Sequence, residues 1–339
     1  MIGYYIHHHG MGHLRRAQAI AAELPPGSIT GLSSLPCPAE WHGPWVQLER
    51  DDAGGQPQDA GANGFLHWVP LADAGLRGRM ARLSAWIRDA APSALVADVS
   101  VEVALLARLH GVPVVSVALP GVREDPAHTL GFGISSAVLA AWPAGSPQML
   151  RTAVPGLEAK LHAVGAISGL PVLPGRPPGP ITQVLVLGGA GGGGMTAAEM
   201  AEARSQTPDV EWVAVGTTPE NRTSDPLPHL QEASFVVTHA GQGALADVAA
   251  AGVPALIVPQ ERPHQEQFST AEALDRLQDL PVIISPTFAR TDWRDVLDRA
   301  GRLDGRQWYL WNDGRGASRA AQVLTAVADR AGIQAGAGA

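Results

Sequence analysis

Residues 238–271 constrain this chain more than any other stretch. They read THAGQGALADVAAAGVPALIVPQERPHQEQFSTA, and the apolar, β-branched run EASFVV at 232–237 feeds into them. Such a run reads as a buried strand. It stops at His239-Ala240-Gly241-Gln242-Gly243, where small residues open a helical pattern that lasts to Gly252. Val253-Pro254 ends the helix, and residues 255–258 begin another strand. Strand, glycine loop, helix and strand make one α/β unit. Its loop offers bare backbone N–H groups at a helix N-terminus, a ready site for an anion. Asp247 lies one turn into that helix and is placed to reach a group seated on the loop.

The same alternation runs through the rest of the chain. Residues 2–6 read as a first buried strand, 7–13 as a loop and 14–24 as a helix. A helix is expected at 75–90, with Leu76, Met80, Leu83 and Ile87 inward and Arg77, Arg79, Arg82 and Arg88 on a solvated face open to an anionic or lipid surface. Residues 93–98 (SALVAD) read as a strand, 101–110 as a helix and 112–118 as a strand, whereas 51–64 look like a mobile surface loop. The proline- and glycine-rich stretch 168–181 is the linker. It separates an N-terminal domain, 1–167, from a second α/β domain, 182–314, and a helix over 315–331 is expected to pack back on the first domain. The expected fold class is therefore α/β: two Rossmann-like, doubly wound parallel sheets facing a cleft. The loops at 7–13, 98–100, 188–194 and 239–243 lie beyond the carboxyl ends of the strands, where such sheets bind ligands. At 339 residues, two domains are the default.

Composition removes several function classes. A net charge of -8 argues against a nucleic-acid binder. One cysteine, Cys37, precludes an internal disulfide framework and fits a cytoplasmic location. No apolar run reaches transmembrane length, which leaves peripheral membrane contact as the only membrane role to consider. The loop 189–194 contains G-x-G-x-x-G, but the next strand ends Val215-Gly216-Thr217-Thr218 without the acid a dinucleotide ribose requires, and the P-loop signature is absent. No Asp-x-Asp pair occurs, and neighbours in His7-His8-His9 are expected to point to opposite sides of a strand end, so no metal ligand set is assigned. Arg123, Glu124, Asp125 and His128 read as an exposed polar turn near the acceptor side.

Residues 238–271 resemble the donor-binding segment of GT-B glycosyltransferases, both the peptidoglycan GlcNAc-transferase family and the UDP-glycosyltransferases. His239, Gly241, Asp247, Ala250, Gly252, Pro254, Pro259, Glu266, Gln267 and Ala271 stand at matching positions without a gap. The resemblance implies that His239 and the amides of Gly241, Gln242, Gly243 and Ala244 bind the pyrophosphate. It implies that Asp247, where the family usually has Glu, holds the ribose hydroxyls, and that Glu266 and Gln267 hold the donor sugar. Gly10-Met11-Gly12-His13 resembles the loop after the first strand of the same families, which implies His13 as general base and Asp98 as the acid behind it. Asp98 equally suits the N-cap of the following helix. Gly12, Gly189 and Gly191 are expected to border the donor.

The implied activity is transfer of a sugar from a nucleotide-sugar donor, UDP-linked by family habit, to a hydroxyl-bearing small-molecule or lipid-linked acceptor, by inverting displacement without a metal or other cofactor. Gly10-Met11-Gly12-His13-Leu14-Arg15-Arg16 also resembles the sugar-nucleotide hydrolases of nonulosonic-acid synthesis, where the histidine activates water. Hydrolysis and non-catalytic sugar-nucleotide binding are the alternatives. All carry one consequence: half of the site lies on each domain.

Overall fold

The computed structural model describes residues 1–52, 54–188, 194–223 and 225–337, with side chains as far as residue 331. Its first domain is built on a parallel sheet of seven strands. In chain order these are β1 (Ile2–Tyr5), β2 (Ile29–Ser33), β3 (Trp45–Gln47), β4 (Ala94–Asp98), β5 (Val114–Ala118), β7 (Ala137–Ala140) and β9 (Leu161–Ala163). Between them, β6 (Gly121–Arg123) and β8 (Leu150–Thr152) pair as a separate two-stranded ribbon. The spatial order is β3-β2-β1-β4-β5-β7-β9. Helices α1 (Met11–Ala22), α2 (Ala74–Ala90), α3 (Val101–Leu109) and α4 (Pro126–Ile134) are the crossovers of this domain. The strands are apolar on both faces because helices cover both, and β1, β2, β4, β5 and β7 are buried at every residue.

The second domain has a five-stranded parallel sheet of β10 (Gln183–Leu187), β11 (Glu211–Val215), β12 (Phe235–Thr238), β13 (Ala255–Ile257) and β14 (Val282–Ile284), in the order β11-β10-β12-β13-β14. Helices α5 (Ala197–Gln206), α6 (Leu227–Glu232), α7 (Gln242–Ala251), α8 (Glu266–Arg276) and α9 (Trp293–Ala300) connect and flank these strands. The last helix, α10 (Gly316–Ala337), crosses to the first domain. There Ala320, Ala321, Leu324 and Val327 join Leu14, Ala17 and Ile20 of α1 in one core.

In each sheet the winding reverses once, between β1 and β4 and between β10 and β12. A crevice opens where the crossovers diverge, beyond the strand ends. The two switch points thus set the β1–α1 and β4–α3 loops of one domain and the β12–α7 loop of the other at the cleft.

Four local readings differ from the structure. Arg123, read in an exposed polar turn, is buried at the end of β6, and Asp125 caps α4. Arg79 is 2% exposed, and its guanidinium donates to Asp51 Oδ2 at 2.7 Å and Tyr5 OH at 2.9 Å. It takes the inward position because Asp51, read as part of a mobile loop, is itself buried and supplies the counter-charge. The N-cap of α3 is Ser100, which accepts the Val103 N–H at 3.2 Å and leaves Asp98 to other partners. Helix α1 starts at Met11, because Gly10 at φ 86° turns the chain within one residue, so His13 stands in a helical turn and not in the loop.

Candidate active site

The first half of the site grows from adjacent strands. Asp98 is the last residue of β4, beside β1, and is fully buried. His13 stands in the first turn of α1 and Arg16 three residues on, a spacing that puts both on one helix face. His13 Nδ1 lies 2.9 Å from Asp98 Oδ1. Arg16 donates through Nη2 to the same oxygen at 2.7 Å and through Nε to Oδ2 at 3.3 Å, and the Tyr4 hydroxyl donates to Oδ2 at 3.4 Å. Burial alone would push the Asp98 carboxyl up, but the charges of Arg16 and His13 and their hydrogen bonds hold it well below the usual carboxylate range. Arg16 Nη2 also stands 3.0 Å from His13 Nδ1, but an ionised carboxylate only accepts, so where Nδ1–H donates to Asp98 the Nε2 lone pair of His13 is left free. Arg16 was the residue sequence reasoning left without a role, although its spacing from His13 was the available signal.

The second half sits at the end of β12. Thr238 Oγ1 donates to the Leu187 carbonyl at 2.8 Å and ties the ends of β12 and β10 together. The next residue, His239, accepts the Gly241 N–H on Nδ1 at 3.0 Å, so its ring proton is on Nε2. That Nε2 is buried with no partner among the described residues, as are both polar atoms of the Gln242 amide. Burial, with the charge of Arg262 adding to it, lowers His239 to about 4, so the ring is neutral at pH 7 and acts as a donor. A Cβ on Gly241 would stand 2.5 Å from His239 Cε1, so only glycine lets the imidazole fold over the helix start. No side chain caps α7, which leaves the N–H groups of its first turn open. Asp247 is buried one turn further. It accepts from Ser168 Oγ at 2.6 Å and lies 3.5 Å from Arg15 Nη1, so linker and first domain meet on its carboxylate. Burial raises its pKa.

Glu266 and Gln267 open α8 and take different roles. The Gln267 side chain is buried; its Oε1 accepts the Gln260 N–H at 2.9 Å, and its Nε2 lies 3.4 Å from His239 Nδ1, so it braces the histidine. Glu266 faces the cleft, 3.6 Å from Arg123 of the first domain, and burial raises its pKa against the pull of the surrounding cations. Gly189 and Gly191 lie outside the described residues.

These groups surround connected hollows. A cavity of about 380 Å³ is lined by Gly12, Arg15, Ser168, Thr223, His239 and Asp247, with Gln242, Gly243 and Ala244 on its wall. A second, of about 370 Å³, is lined by Val99, Val117, Phe132, His13, His67 and Glu266. A smaller hollow carries His13, Arg16, Gln242, Gly243 and Glu266 together and joins the two. The arrangement sets an imidazole backed by a carboxylate against a helix start with open N–H groups, with a chamber of mixed apolar and polar lining on the side of the imidazole.

Residues 224–278 match the family model of the glycosyltransferase family 28 C-terminal domain. A comparison with curated protein sequences gives no match. Among solved structures, the chain is similar to the glycotransferase of kitacinnamycin (17% identity, 97% of each chain covered, TM-score 0.62). It is also similar to MurG of Acinetobacter baumannii (14% identity, 96% of this chain and 98% of that one, TM-score 0.60) and to CalG4, the calicheamicin glycosyltransferase (18% identity, 97% and 98%, TM-score 0.61). These similarities run through both domains and establish the GT-B fold.

Proposed function

On the premise of a GT-B glycosyltransferase, we propose that this chain moves a sugar from a nucleoside-diphosphate donor, UDP-linked in the first instance, to a hydroxyl of an organic acceptor with inversion at the anomeric carbon. One observation carries the reading. The His13–Asp98 pair, at 2.9 Å, stands where the chamber on its side meets the cavity that holds the start of α7 and the unpartnered Nε2–H of His239.

In this reading the diphosphate lies on the first-turn amides of α7, with His239 Nε2–H and the Gln242 amide donating to its oxygens. The acceptor enters the 370 Å³ chamber. Its hydroxyl gives its proton to His13 Nε2 as the oxygen attacks the anomeric carbon, and the bond from that carbon to the phosphate oxygen breaks. Asp98 steadies the imidazolium that forms. Negative charge grows on the leaving diphosphate, where fixed N–H donors are already aimed, so the stabilisation comes from the protein and calls on no metal. Glu266 is placed to accept from the donor-sugar hydroxyls beside the reacting centre, and Asp247 to meet the ribose once Arg15 or Ser168 yields.

Val99, Val117 and Phe132 give the chamber an apolar wall that suits an organic acceptor, opposite polar side chains that include His67, His128 and Glu266. The test is diphosphate release from a panel of UDP-, dTDP- and GDP-sugars, with and without phenolic and other hydroxyl acceptors. Release that depends on acceptor, and that falls by about 10²-fold or more in His13→Ala, is the expected result. Release equally fast without acceptor would replace transfer with hydrolysis, and near wild-type transfer by His13→Ala would remove the base assignment.

A further inference from the structure

Away from the leaving-group pocket, four side chains from distant parts of the chain converge across the cleft. His67 precedes α2, Asp125 caps α4, His128 lies in the first turn of α4, and His264 belongs to the second domain, just before α8. His67 Nε2 is 3.2 Å and His128 Nδ1 2.6 Å from Asp125 carboxylate oxygens, and His264 Nδ1 is 3.7 Å from Asp125 Oδ2. One ligand-type atom from each residue lies within 4.8 Å of every other.

We propose that His67, Asp125, His128 and His264 bind a divalent transition-metal ion of the zinc class, which ties the two domains together at the rim of the acceptor chamber. A tetrahedral ion about 2.0–2.1 Å from each ligand needs ligand atoms roughly 3.3 Å apart. His128 and His264 lie 2.6 and 3.7 Å from Asp125 Oδ2 and His67 lies 3.2 Å from Oδ1, with no pair of ligand atoms more than 4.8 Å apart, so a bound ion draws the set together by about an ångström. Three imidazoles and one carboxylate are the donor set such ions prefer, whereas calcium and magnesium call for oxygen. His67, His128 and His264 all line the chamber, which provides an entry path.

The second-domain ligand is set in place by its backbone. His264 and Gln265 both hold left-handed conformations, at φ 60° and 57°. The His264 carbonyl approaches Gly121 of β6 so closely that a Cβ there would stand 2.2 Å from it, and Gly121 itself has φ 114°. Loading requires both histidines that donate to Asp125, His67 through Nε2 and His128 through Nδ1, to move those protons to their other ring nitrogens. Arg123 Nη1 lies 3.3 Å from His128 Nε2, so that nitrogen carries the lone pair and Nδ1 the proton. Ligation through Nδ1 moves the proton to Nε2 and releases the Arg123 contact, leaving Arg123 on the Pro120 carbonyl at 2.9 Å and near Glu266. The imidazole stays neutral throughout.

His8, His9 and Asp52 form a second convergence, but it offers three ligands, and the Asp52 carboxylate is already clasped by Arg50 at 2.8 and 2.5 Å. It therefore serves as the control. The experiment titrates Co²⁺ into the full-length chain after chelator treatment and desalting, reads ligand-field absorption, and then displaces Co²⁺ with Zn²⁺. One equivalent with tetrahedral intensity is expected. His264→Gln and His67→Gln, each shown folded by circular dichroism, should weaken binding about tenfold or more, while His9→Gln leaves it unchanged. Two histidine variants are used so that the loss of either one to misfolding leaves the question answerable. The proposal is overturned if no tetrahedral band develops, if both cluster variants bind like the parent, or if binding is lost in His9→Gln.

Discussion

At the scale of single residues, the site rests on where protons sit. Asp98 has three donors around it and no solvent, so its charge is permanent and its geometry is over-determined. Arg16 balances that charge and keeps Asp98 ionised, while His13 is the one of its three partners that lines both the 370 Å³ chamber and the small hollow beside it. Replacing Asp98 by Asn keeps the shape but offers an amide N–H toward His13 Nδ1, which favours the tautomer with the proton on Nε2 and removes the base. Asp98→Asn should lower kcat by about 10²–10⁴-fold with nucleotide affinity little changed, measured by steady-state kinetics alongside calorimetric titration of UDP. Equal loss of affinity and kcat would move Asp98 from proton transfer to donor binding.

At the scale of elements, function depends on how helices begin. Helix α7 has an open start because Gly241, Gln242 and Gly243 provide no cap and His239 folds back over Gly241. Adding one methyl group at 241 displaces the imidazole and leaves β12 and the helix body untouched, since the φ of −75° suits any residue. Gly241→Ala should weaken nucleotide binding by about tenfold or more and shift the melting temperature of the free protein by only a few degrees, checked by calorimetry and thermal unfolding. A large loss of stability with unaltered binding would show that the close approach serves packing. Contrast α10, whose buried Leu324 and Ala320 hold the chain's end on α1 of the other domain. That contact ties the domains by apolar burial, whereas Arg15–Asp247 and Arg123–Glu266 tie them by charge.

At the scale of the whole molecule, buried histidines make folding sensitive to acid. His239 is lowered to about 4 and His7 to about 3, both first by burial, against an ordinary value of 6.5. Below pH 6.5 the unfolded chain takes protons that the folded chain refuses, so stability is full above that pH and is lost as pH falls toward 4. Each such histidine contributes up to about 1.4 kcal/mol per pH unit within its window. Asp247 and Glu266 are shifted upward and oppose this trend at lower pH, so the test belongs between pH 5.5 and about 6.5. Urea unfolding across that range should show stability falling with acid, and His239→Asn should lose close to one proton's worth of the slope. An unchanged slope in that variant would mean the imidazole is solvated in the folded state.

What the chain order alone determined is considerable: the α/β class, the two sheets, the linker composition and the strand–glycine loop–helix–strand unit at 238–271. These follow from local causes, because strand and helix periodicity and glycine-rich turns are written in neighbouring residues. His13 and Asp98 were legible only through a family resemblance, and Arg16 only as a spacing. What tertiary structure alone decided is everything that depends on a counter-charge from far along the chain. Asp51 draws Arg79 inward, the Arg16 charge settles on Asp98, and Ser168 and Arg15 meet on Asp247. Asp125, read as part of an exposed turn, instead meets histidines from both domains. Electrostatic partners are chosen by distance in space after the sheets have wound, and a linear pattern carries no record of that distance.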